Sequence, residues 1–301
     1  MFFKNAIILK LTEQFHLNAE ELEQKLLEFS FKPCGKTDAI SVGWSPALHP
    51  KASAMVHASG DFFMICLKRQ EKVLPAAAIR ELLDEKIAEL EEIEDRKVMG
   101  KEKLNLKEEL IQMLLPTALT KSSYTHAFID TKNNYVVVNT SAHSKSEELT
   151  AYLRKCLGSL PVVPLEPEAH EMFIFTDWVR GDYPADVTLG TEVRLKDFSE
   201  DEGIVTCKNL ALDANDIQGH LDCGRHVIQL EIDWDETLSC VLTENLVLKR
   251  IRFSDVLKEQ NEDITDDDQL ARLDADFTLM AGELTRFIKR LVDLFGVKES
   301  S

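Results

Sequence analysis

Three carboxylates at the end of a predicted strand are the residues that could most directly carry out chemistry. Glu231, Asp233 and Asp235 alternate with apolar residues, so they could share one face of that strand. Converging carboxylates are what two-metal hydrolysis of a phosphoester requires. A solvent-facing strand edge gives the same alternation, and no partner His or Asp can be assigned from the sequence alone. A metal-dependent nuclease or phosphoesterase is therefore the alternative interpretation, and a structural strand edge is the preferred one.

Other catalytic motifs are absent from the sequence. It contains no phosphate-binding glycine-rich loop, no G-x-S-x-G elbow and no H-E-x-x-H pair. His126 and His226 stand in or beside apolar strands, where structural histidines are common. The acidic segment 262–268 lacks the central glycine of a calcium loop and coincides with a predicted helix start. We expect no enzyme activity, no metal and no cofactor.

The cysteines predict free thiols. Six are present, with no C-x-x-C pair and with long separations. This pattern favours buried thiols in a reducing compartment over a disulfide framework or a zinc site. The N-terminus reads as a buried strand, not as a signal peptide, and no apolar run approaches the roughly 18 residues that a membrane span needs. We expect a cytoplasmic protein without a membrane partner.

Negative charge is concentrated in the second half of the chain. The net charge is −18. Residues 1–168 hold 21 Lys+Arg and 24 Asp+Glu, whereas residues 169–301 hold 14 and 29. Such a balance argues against a nucleic-acid-binding protein whose whole surface is basic. It leaves open a segregated arrangement, acidic outside and basic inside, which a protein enclosing a polyanion would need.

One segment reverses this balance. Residues 96–107 carry five cations, among them Arg96 and Lys107, against the single acid Glu102. The segment lies at a predicted break near Gly100 in a long helical tract. It is either a solvated helix junction or a phosphate-contacting patch, and the sequence leaves both open.

The pattern of apolar residues predicts an α+β fold. In the first half we expect strands at 2–11, 55–59, 62–68, 124–130 and 135–140, a helix near 18–29, and a helical arm from Pro75 to Pro116. In the second half we expect strands at 171–179, 203–207, 226–234, 238–243 and 245–253, a helix near 213–221, and a loop-rich segment between 180 and 201. Alternation in the last of these strands places Lys249 and Ile251 on one face, with Arg250 and Arg252 on the other. A long amphipathic helix closes the chain through Leu294, with Thr265 and Asp268 as its capping pair.

Residues 153–165 combine a helix end with a stiff connector. A helix that starts near Ser144 should end at Gly158, with Arg154 and Lys155 favourably placed in its last turns. Pro161 and Pro164 then hold the backbone extended. The segment predicts a junction of fixed angle between two parts of the protein.

Collinear motifs along nearly the whole chain resemble the bacterial RdgC family of recombination-associated proteins. The motifs are Pro33-Cys34-Gly35 with Gly43-Trp44, Glu71-Lys72-Val73-Leu74-Pro75, Leu114-Leu115-Pro116, residues 153–165, Trp178-Val179-Arg180, Leu248-Lys249-Arg250, Gln260-Asn261-Glu262-Asp263-Ile264, Asp274-Ala275-Asp276-Phe277 and Gly282-Glu283-Leu284. No single motif is specific, but the ordered set is.

The resemblance implies a multi-part, U-shaped α+β protomer with mixed and antiparallel sheets that closes into a ring-shaped homodimer. Its expected parts are a central unit (1–74 and 120–165), a helical arm at the dimer contact (75–119), a second α+β unit (166–253) and a C-terminal helical segment packed on the core (254–301). Exposed Leu114, Leu115 and Leu119 at the end of the arm would then be covered by the partner.

The resemblance also implies a function. Proteins of this family are non-enzymatic, bind DNA with little sequence preference, encircle duplex DNA as a ring and limit the access of the recombinase RecA. Double-stranded DNA is the expected partner, with single-stranded DNA left open, and the expected location is the nucleoid. The candidate phosphate contacts are Arg96, Lys97, Lys103, Lys107, Arg154, Lys155, Lys208, Lys249 and Arg250. Thr117, Leu119 and the pair Asn209-Leu210 depart from the family pattern at positions expected near the ring's closures.

Overall fold

The computed structural model describes residues 2–48, 52–198, 203–259 and 269–297. In the first half of the chain the elements are β1 (Asn5–Leu11), α1 (Ala19–Leu27), β2 (Ile40–Ser45), β3 (Val56–Ser59), β4 (Phe62–Lys72), α2 (Ala76–Glu94), α3 (Lys101–Leu114), β5 (Thr120–Asp130), β6 (Tyr135–Val138) and α4 (His143–Leu157). They are followed by β7 (Val162–Pro164), α5 (Glu171–Val179), β8 (Val187–Lys196), β9 (Ile204–Cys207), α6 (Asn215–Asp222), β10 (His226–Trp234), β11 (Leu238–Thr243), β12 (Leu248–Phe253), α7 (Asp255–Glu259) and α8 (Gln269–Phe295). The predicted α+β class is confirmed, and no described helix combines the length and apolar character of a bilayer span. The capping pair Thr265–Asp268, the acidic segment 262–268 and the motif 260–264 lie outside the described residues.

The larger of two compact units holds an antiparallel sheet and the long helix α8. It comprises the described residues of 1–25, 46–66 and 125–301. Within it the strand order runs β6-β1-β12-β11-β10-β8-β9, and β7 also pairs with β1. The apolar stripe of α8 enters the core, where Phe277, Phe287 and Leu291 are fully buried. Trp234 of β10 packs against Phe287 with ring centroids 5.0 Å apart, so the sheet and α8 share one core, as the amphipathic pattern predicts.

The smaller unit contains the helical arm. It comprises residues 26–45 and 67–124, and its two long helices pack through Ile79 and Leu83 of α2 and Leu110 of α3. The helix break falls where it was predicted, with Asp95 in the left-handed conformation at φ 49° and Gly100 at a positive φ of 55°. Leu119 is exposed as expected. Leu115 is not, because the chain turns into a short 3₁₀ helix there and buries that side chain. Leu114 is half-buried, because it packs against the two helices of the arm.

The prediction of a strand at residues 171–179 is wrong, since this segment is the helix α5. Its run of apolar residues lacks alternation, and a short apolar run fits a buried strand or a buried helix equally well. Phe175 and Trp178 enter the core. The Thr176 hydroxyl accepts a hydrogen bond of 3.0 Å from the backbone N–H of Val227 in β10, which attaches the helix to the sheet.

The segment between 180 and 201 is not loop-rich, because it contains the ten-residue strand β8. This strand pairs with both β9 and β10. Gly190 interrupts its pattern for a steric reason: a Cβ atom there would lie 2.5 Å from Cγ of Glu231. Gly190 therefore marks the point where the side chain of Glu231 crosses the strand.

A β-bulge in β12 overturns the predicted facing of its side chains. Val241 pairs with Lys249 and Ser239 with Arg252, so one residue of β11 opposes two of β12. Arg250, at φ 52°, is the extra residue. Lys249 and Ile251 consequently do not share a face: Ile251 is buried and Lys249 lines a surface cavity.

The end of α4 and the state of the cysteines follow the sequence closely. Gly158 has φ 83° and its N–H donates to the carbonyl of Arg154 at 2.8 Å, which confirms the helix end. The stiff connector after it contains β7, paired with β1. All six cysteines are free. Cys66, Cys156 and Cys240 are buried as expected, Cys34 and Cys207 are half-buried, and Cys223 is exposed, so the expectation of uniformly buried thiols is wrong.

Candidate nucleic-acid interface

The outer face of the sheet in the larger unit is the face opposite the buried side chains of β8 and β10. Val193, Leu195 and Leu230 point into the core, so the alternating residues point outward. The antiparallel register places Lys196 between Ile204 and His226, and in the adjacent row Arg194 lies between Thr206 and Gln229. Two cations of β8 thus stand side by side on this face.

Two adjoining cavities follow this face, and we call them together the basic groove. The first, of about 380 Å³, is lined by Arg194, Lys196 and Lys249. The second, of about 360 Å³, is lined by Arg154 at the end of α4. Both cavities share His143, Asn245 and Val247 on their walls. The acids on the walls are Glu244 in the first cavity and Glu147 in the second.

Three cations of the basic groove are available to an external anion. Within the described part of the chain, Arg154, Arg194 and Lys249 form no ion pair with a carboxylate. The Arg154 guanidinium makes only long contacts of 3.4 Å, from Nε and Nη2 to the carbonyl of Leu160. A phosphate group entering the groove would therefore not have to displace an internal carboxylate from these side chains.

Two further candidates are held by an internal acid on the same face. Arg250 Nη2 lies 2.8 Å from Oε1 of Glu192, and Lys208 Nζ lies 3.6 Å from its Oε2. Gln229 adds a hydrogen bond of 3.2 Å to the same carboxylate. Burial acts to raise the pKa of Glu192, but the hydrogen bond and charge of Arg250, together with Lys208, outweigh burial and lower that pKa. Glu192 is therefore ionised at neutral pH and neutralises part of the charge of both cations.

The cations of the arm are mostly paired with its acids. Arg96 makes a two-pronged contact with Glu102 at 2.7 and 2.6 Å and also meets Glu94 at 2.6 Å. In the same way Lys97 lies 2.7 Å from Glu91, and Lys103 lies 3.8 Å from Asp84. The hydrogen bond from Arg96 lowers the pKa of Glu102, and that from Lys97 lowers the pKa of Glu91.

Lys107 differs from these three cations. It is exposed on α3 and forms no ion pair with any described residue. Acids of the arm thus neutralise most cations of the predicted patch at 96–107, whereas Lys107 remains available to an external anion.

The structure brings some of the nine predicted contacts together and leaves others apart. Arg154 and Lys249 share the basic groove, and Lys208 and Arg250 meet at Glu192. Lys155 is exposed on α4 with its Nζ 5.4 Å from the ring of Tyr152. The remaining four, Arg96, Lys97, Lys103 and Lys107, belong to the smaller unit.

Arg194 and Lys196 were missed in the sequence because β8 itself was missed. The alternation of residues 192–196, with Glu, Arg and Lys separated by Val and Leu, is the signal that could have revealed them.

The three carboxylates of the alternative interpretation do not converge. Glu231 accepts a hydrogen bond of 3.0 Å from the backbone N–H of Thr191. Asp235 lies in the turn after β10 and pairs with Arg286 at 2.9 Å. Burial raises the pKa of Asp233. Among the residues that the structure describes, no group of three or more His, Cys, Asp or Glu is arranged to hold a metal ion.

Fold and groove together define an α+β protein whose acidic chain presents a cationic surface suited to a polyanion. Comparison with known proteins agrees with this class. A family model described as "Putative exonuclease, RdgC" matches residues 1–298. Proteins named recombination-associated protein RdgC are similar over their whole length, with 43% identity over 99% of both chains in Pseudoalteromonas atlantica and 40% identity over 100% of both chains in Psychromonas ingrahamii. The relative in Colwellia psychrerythraea is 40% identical over 99% of this chain and 97% of its own. The chain belongs to the RdgC family, and the resemblance predicted from its motifs is confirmed.

Proposed function

We propose that this protein binds double-stranded DNA with little sequence preference, without catalysing a reaction. The observation that carries the proposal is the presence of Arg154, Arg194 and Lys249 around one groove, where no described carboxylate pairs with them, in a chain of net charge −18. Side chains that contact phosphate supply affinity irrespective of sequence. The name recombination-associated protein RdgC, carried by the relatives, supports DNA as the polyanion.

The proposal includes assembly into a ring. In it, two U-shaped protomers close around the duplex, the arm at 75–119 supplies a dimer contact, and the basic residues face the enclosed DNA in the nucleoid of the cytoplasm. Leu119, which is 81% exposed at the end of the arm, supports a partner at that position. A DNA-bound ring would limit RecA by occupying the DNA on which RecA assembles. Sedimentation of the free protein should accordingly give the mass of two chains, and a monomer at micromolar concentration would contradict the ring.

The phosphate contacts are tested by a salt titration of duplex binding. We expect the triple substitution Arg154→Ala, Arg194→Ala and Lys249→Ala to reduce the slope of log affinity against log salt by about 0.9 for each phosphate that is no longer neutralised. The matched control replaces the exposed Lys132, Lys258 and Lys289, which lie away from the groove and carry the same total charge. Equal slopes for the two triple variants would contradict the groove as the DNA site.

A nuclease assay distinguishes the alternative. With Mg²⁺ or Mn²⁺ present, we expect no cleavage of linear or circular DNA by the wild-type protein. Cleavage that disappears in the Asp233→Ala variant would instead establish the carboxylate-based interpretation.

An RdgC protein that binds DNA should also slow RecA-dependent strand exchange in proportion to the DNA it occupies.

A further inference from the structure

A groove in the helical arm combines apolar and cationic side chains. It runs between α2 and α3 and has a volume of about 660 Å³. Each helix lines it with residues three or four positions apart, which form a single stripe of the helix surface. We call this cavity the arm groove, and its apolar lining includes Ile79, Leu83 and Leu104.

The two helices leave part of this apolar lining uncovered. Ile79 and Leu83 of α2 form the buried contact with Leu110 of α3, whereas Leu104 is 56% exposed. A helix with an apolar stripe is stabilised when that stripe packs against another element. The stripe of α3 between residues 100 and 111 is about 16 Å long, which is the length of about three helical turns. A third helix could therefore lie along the groove and cover Leu104.

The rim of the arm groove is positive, although the arm as a whole is acidic. It carries three cations, Arg80, Lys103 and Lys107, and one acid, Asp84, which gives a net charge of +2. Residues 76–114, in contrast, hold 7 Lys+Arg and 11 Asp+Glu, a net charge of −4. Asp84 lies 3.9 Å from Nε of Arg80 and 3.8 Å from Nζ of Lys103, beyond hydrogen-bond distance of either. Because two cations share this one carboxylate, the rim can accept further negative charge.

An occupant of the arm groove has to match both its apolar lining and its positive rim. Duplex DNA would contact the cations, but its phosphates would leave Leu104 uncovered. A second copy of the same groove, related by a two-fold axis, would place the three cations opposite their own equivalents, where like charges repel. A helix with apolar residues on one face and carboxylates beside them meets both requirements, and such helices dock into grooves through residues at i, i+3, i+4 and i+7. Charge complementarity therefore favours an acidic amphipathic helix.

We propose that the arm groove binds an acidic amphipathic helix of another protein. The apolar face of that helix covers Leu83 and Leu104, and its carboxylates pair with Lys103 and Lys107. The interaction goes beyond the proposed function and does not rest on it, because the arm groove lies in the smaller unit and the basic groove in the larger one. It gives the arm a role in recruiting a protein partner.

The test measures binding of a synthetic peptide to the full-length protein by fluorescence anisotropy. The probe is a helical peptide of about 14 residues with leucines along one face and glutamates beside them. We expect saturable binding with a Kd below about 100 µM, weakened about tenfold or more by Leu104→Glu. The matched control is Met113→Glu, since Met113 is 62% exposed on the same helix but does not line the groove. This control should change the affinity less than about twofold.

An exchange of charge tests the rim. The double substitution Lys103→Glu and Lys107→Glu changes the net charge of the rim from +2 to −2. It should abolish binding of the glutamate peptide and create binding of a peptide with the same leucines and with lysines in place of the glutamates. Lys101→Glu with Lys121→Glu is the control, because both lysines are exposed in the smaller unit and neither lines the groove. Binding of the lysine peptide also shows that the arm of the double variant is folded.

The remaining outcomes overturn the proposal. These are a wild-type protein that does not bind the glutamate peptide, and equal losses in the Leu104→Glu and Met113→Glu variants. If Leu104→Glu converts a dimer into a monomer in sedimentation, a second copy covers the groove. If the same variant weakens duplex binding about tenfold, DNA covers it. A wild-type protein that binds the peptide but no duplex would instead remove the proposed function and uphold the arm groove.

Discussion

Glu192 is 8% exposed and lies between Arg250 and Lys208 on the outer face. It occupies the position that a phosphate oxygen would take, because both cations already point at it. Substitution by glutamine keeps the shape and one acceptor oxygen, but it removes the charge and replaces the second acceptor with an NH₂ donor. We expect Glu192→Gln to increase duplex affinity several-fold at low salt and to steepen the salt slope by about 0.9 for each cation released.

The control for this variant is Asp255→Asn, which changes net charge equally at an exposed position paired with Lys258. A mobility-shift titration of both variants separates the local effect from the general one. Equal gains for the two would mean that total charge, and not release of Arg250 and Lys208, governs the affinity.

His126 makes the fold sensitive to mild acid. Burial in β5 lowers the pKa of its imidazole from 6.5 to about 4. The unfolded chain therefore binds a proton between these pH values that the folded chain does not. The stability contributed by this residue is present above pH 6.5 and is lost as the pH falls toward 4. We expect a loss of about 3 kcal/mol over that window, measured by urea unfolding, and a shallower pH dependence in His126→Gln. The same slope in both proteins would contradict a buried neutral imidazole.

Single residues show how far the site could be predicted from sequence. Arg154 and Lys249 were identified, because they stand in motifs with a recognisable setting. The sequence could not predict which cations are neutralised. Arg250 and Lys208 pair with Glu192, and the distance between residues along the chain does not indicate which of them meet in the fold.

At the level of elements, β2 in the smaller unit depends on a glycine with an ordinary φ. A Cβ atom on Gly43 would lie 2.4 Å from Cα of Phe31, a contact with rigid backbone. We expect Gly43→Ala to lower the free energy of unfolding by about 1–3 kcal/mol, because the neighbouring backbone must shift. Gly203→Ala is the control, since a Cβ atom there meets nothing within 4 Å. Denaturant unfolding should separate the two, and equal stability would show that the strand accommodates the methyl group.

The long helix α8 is tied to the sheet by a carboxylate at the start of β8. Asp186 accepts hydrogen bonds from Arg290 Nε at 2.7 Å and Nη2 at 2.8 Å, and from Trp234 Nε1 at 3.0 Å. The hydrogen bond from Arg290 is the largest reason that the pKa of Asp186 falls to about 2. We expect Asp186→Asn to cost about 1–2 kcal/mol of unfolding free energy at pH 7, against less than about 0.5 kcal/mol for Asp255→Asn. Because the carboxylate is about one-third exposed, a cost as small as that of the control would mean that water takes over these hydrogen bonds.

Elements with strong periodicity were predicted well, and elements without it were not. The apolar stripe of α8 and the tract of α2 and α3 continue over many turns, so local sequence is sufficient to define them. The helix α5 has no alternation that distinguishes it from a strand, and its packing against β10 decides its form. The bulge at Arg250 arises from the register of β12 against β11. The sequence of β12 alone therefore could not predict it.

On the scale of the whole molecule, the proposed ring reconciles an acidic chain with a polyanionic ligand. Acids that face solvent would repel other rings, whereas the electrostatic potential that acts on the enclosed DNA would be set by the side chains of the nearest wall. Arg154, Arg194 and Lys249 would give that wall a positive potential even though the total charge is −18. Few cations line this wall. We therefore expect the proposed ring to stay on DNA partly because it encloses the duplex, and not only through its phosphate contacts.

Enclosure has a topological consequence that contact with one side of the duplex does not share. A closed ring can leave linear DNA by sliding off an end, but it must open to leave a circle. After a challenge with high salt, which weakens the phosphate contacts, we expect the protein to be retained on circular plasmid and released from the same plasmid once it is cut. Blocking both ends of the linear DNA with bulky adducts should restore retention, as measured by co-sedimentation of protein with DNA. Equal release from circular and linear DNA would mean that the protein binds the duplex from one side, and the cations of the groove would then account for the whole of the affinity.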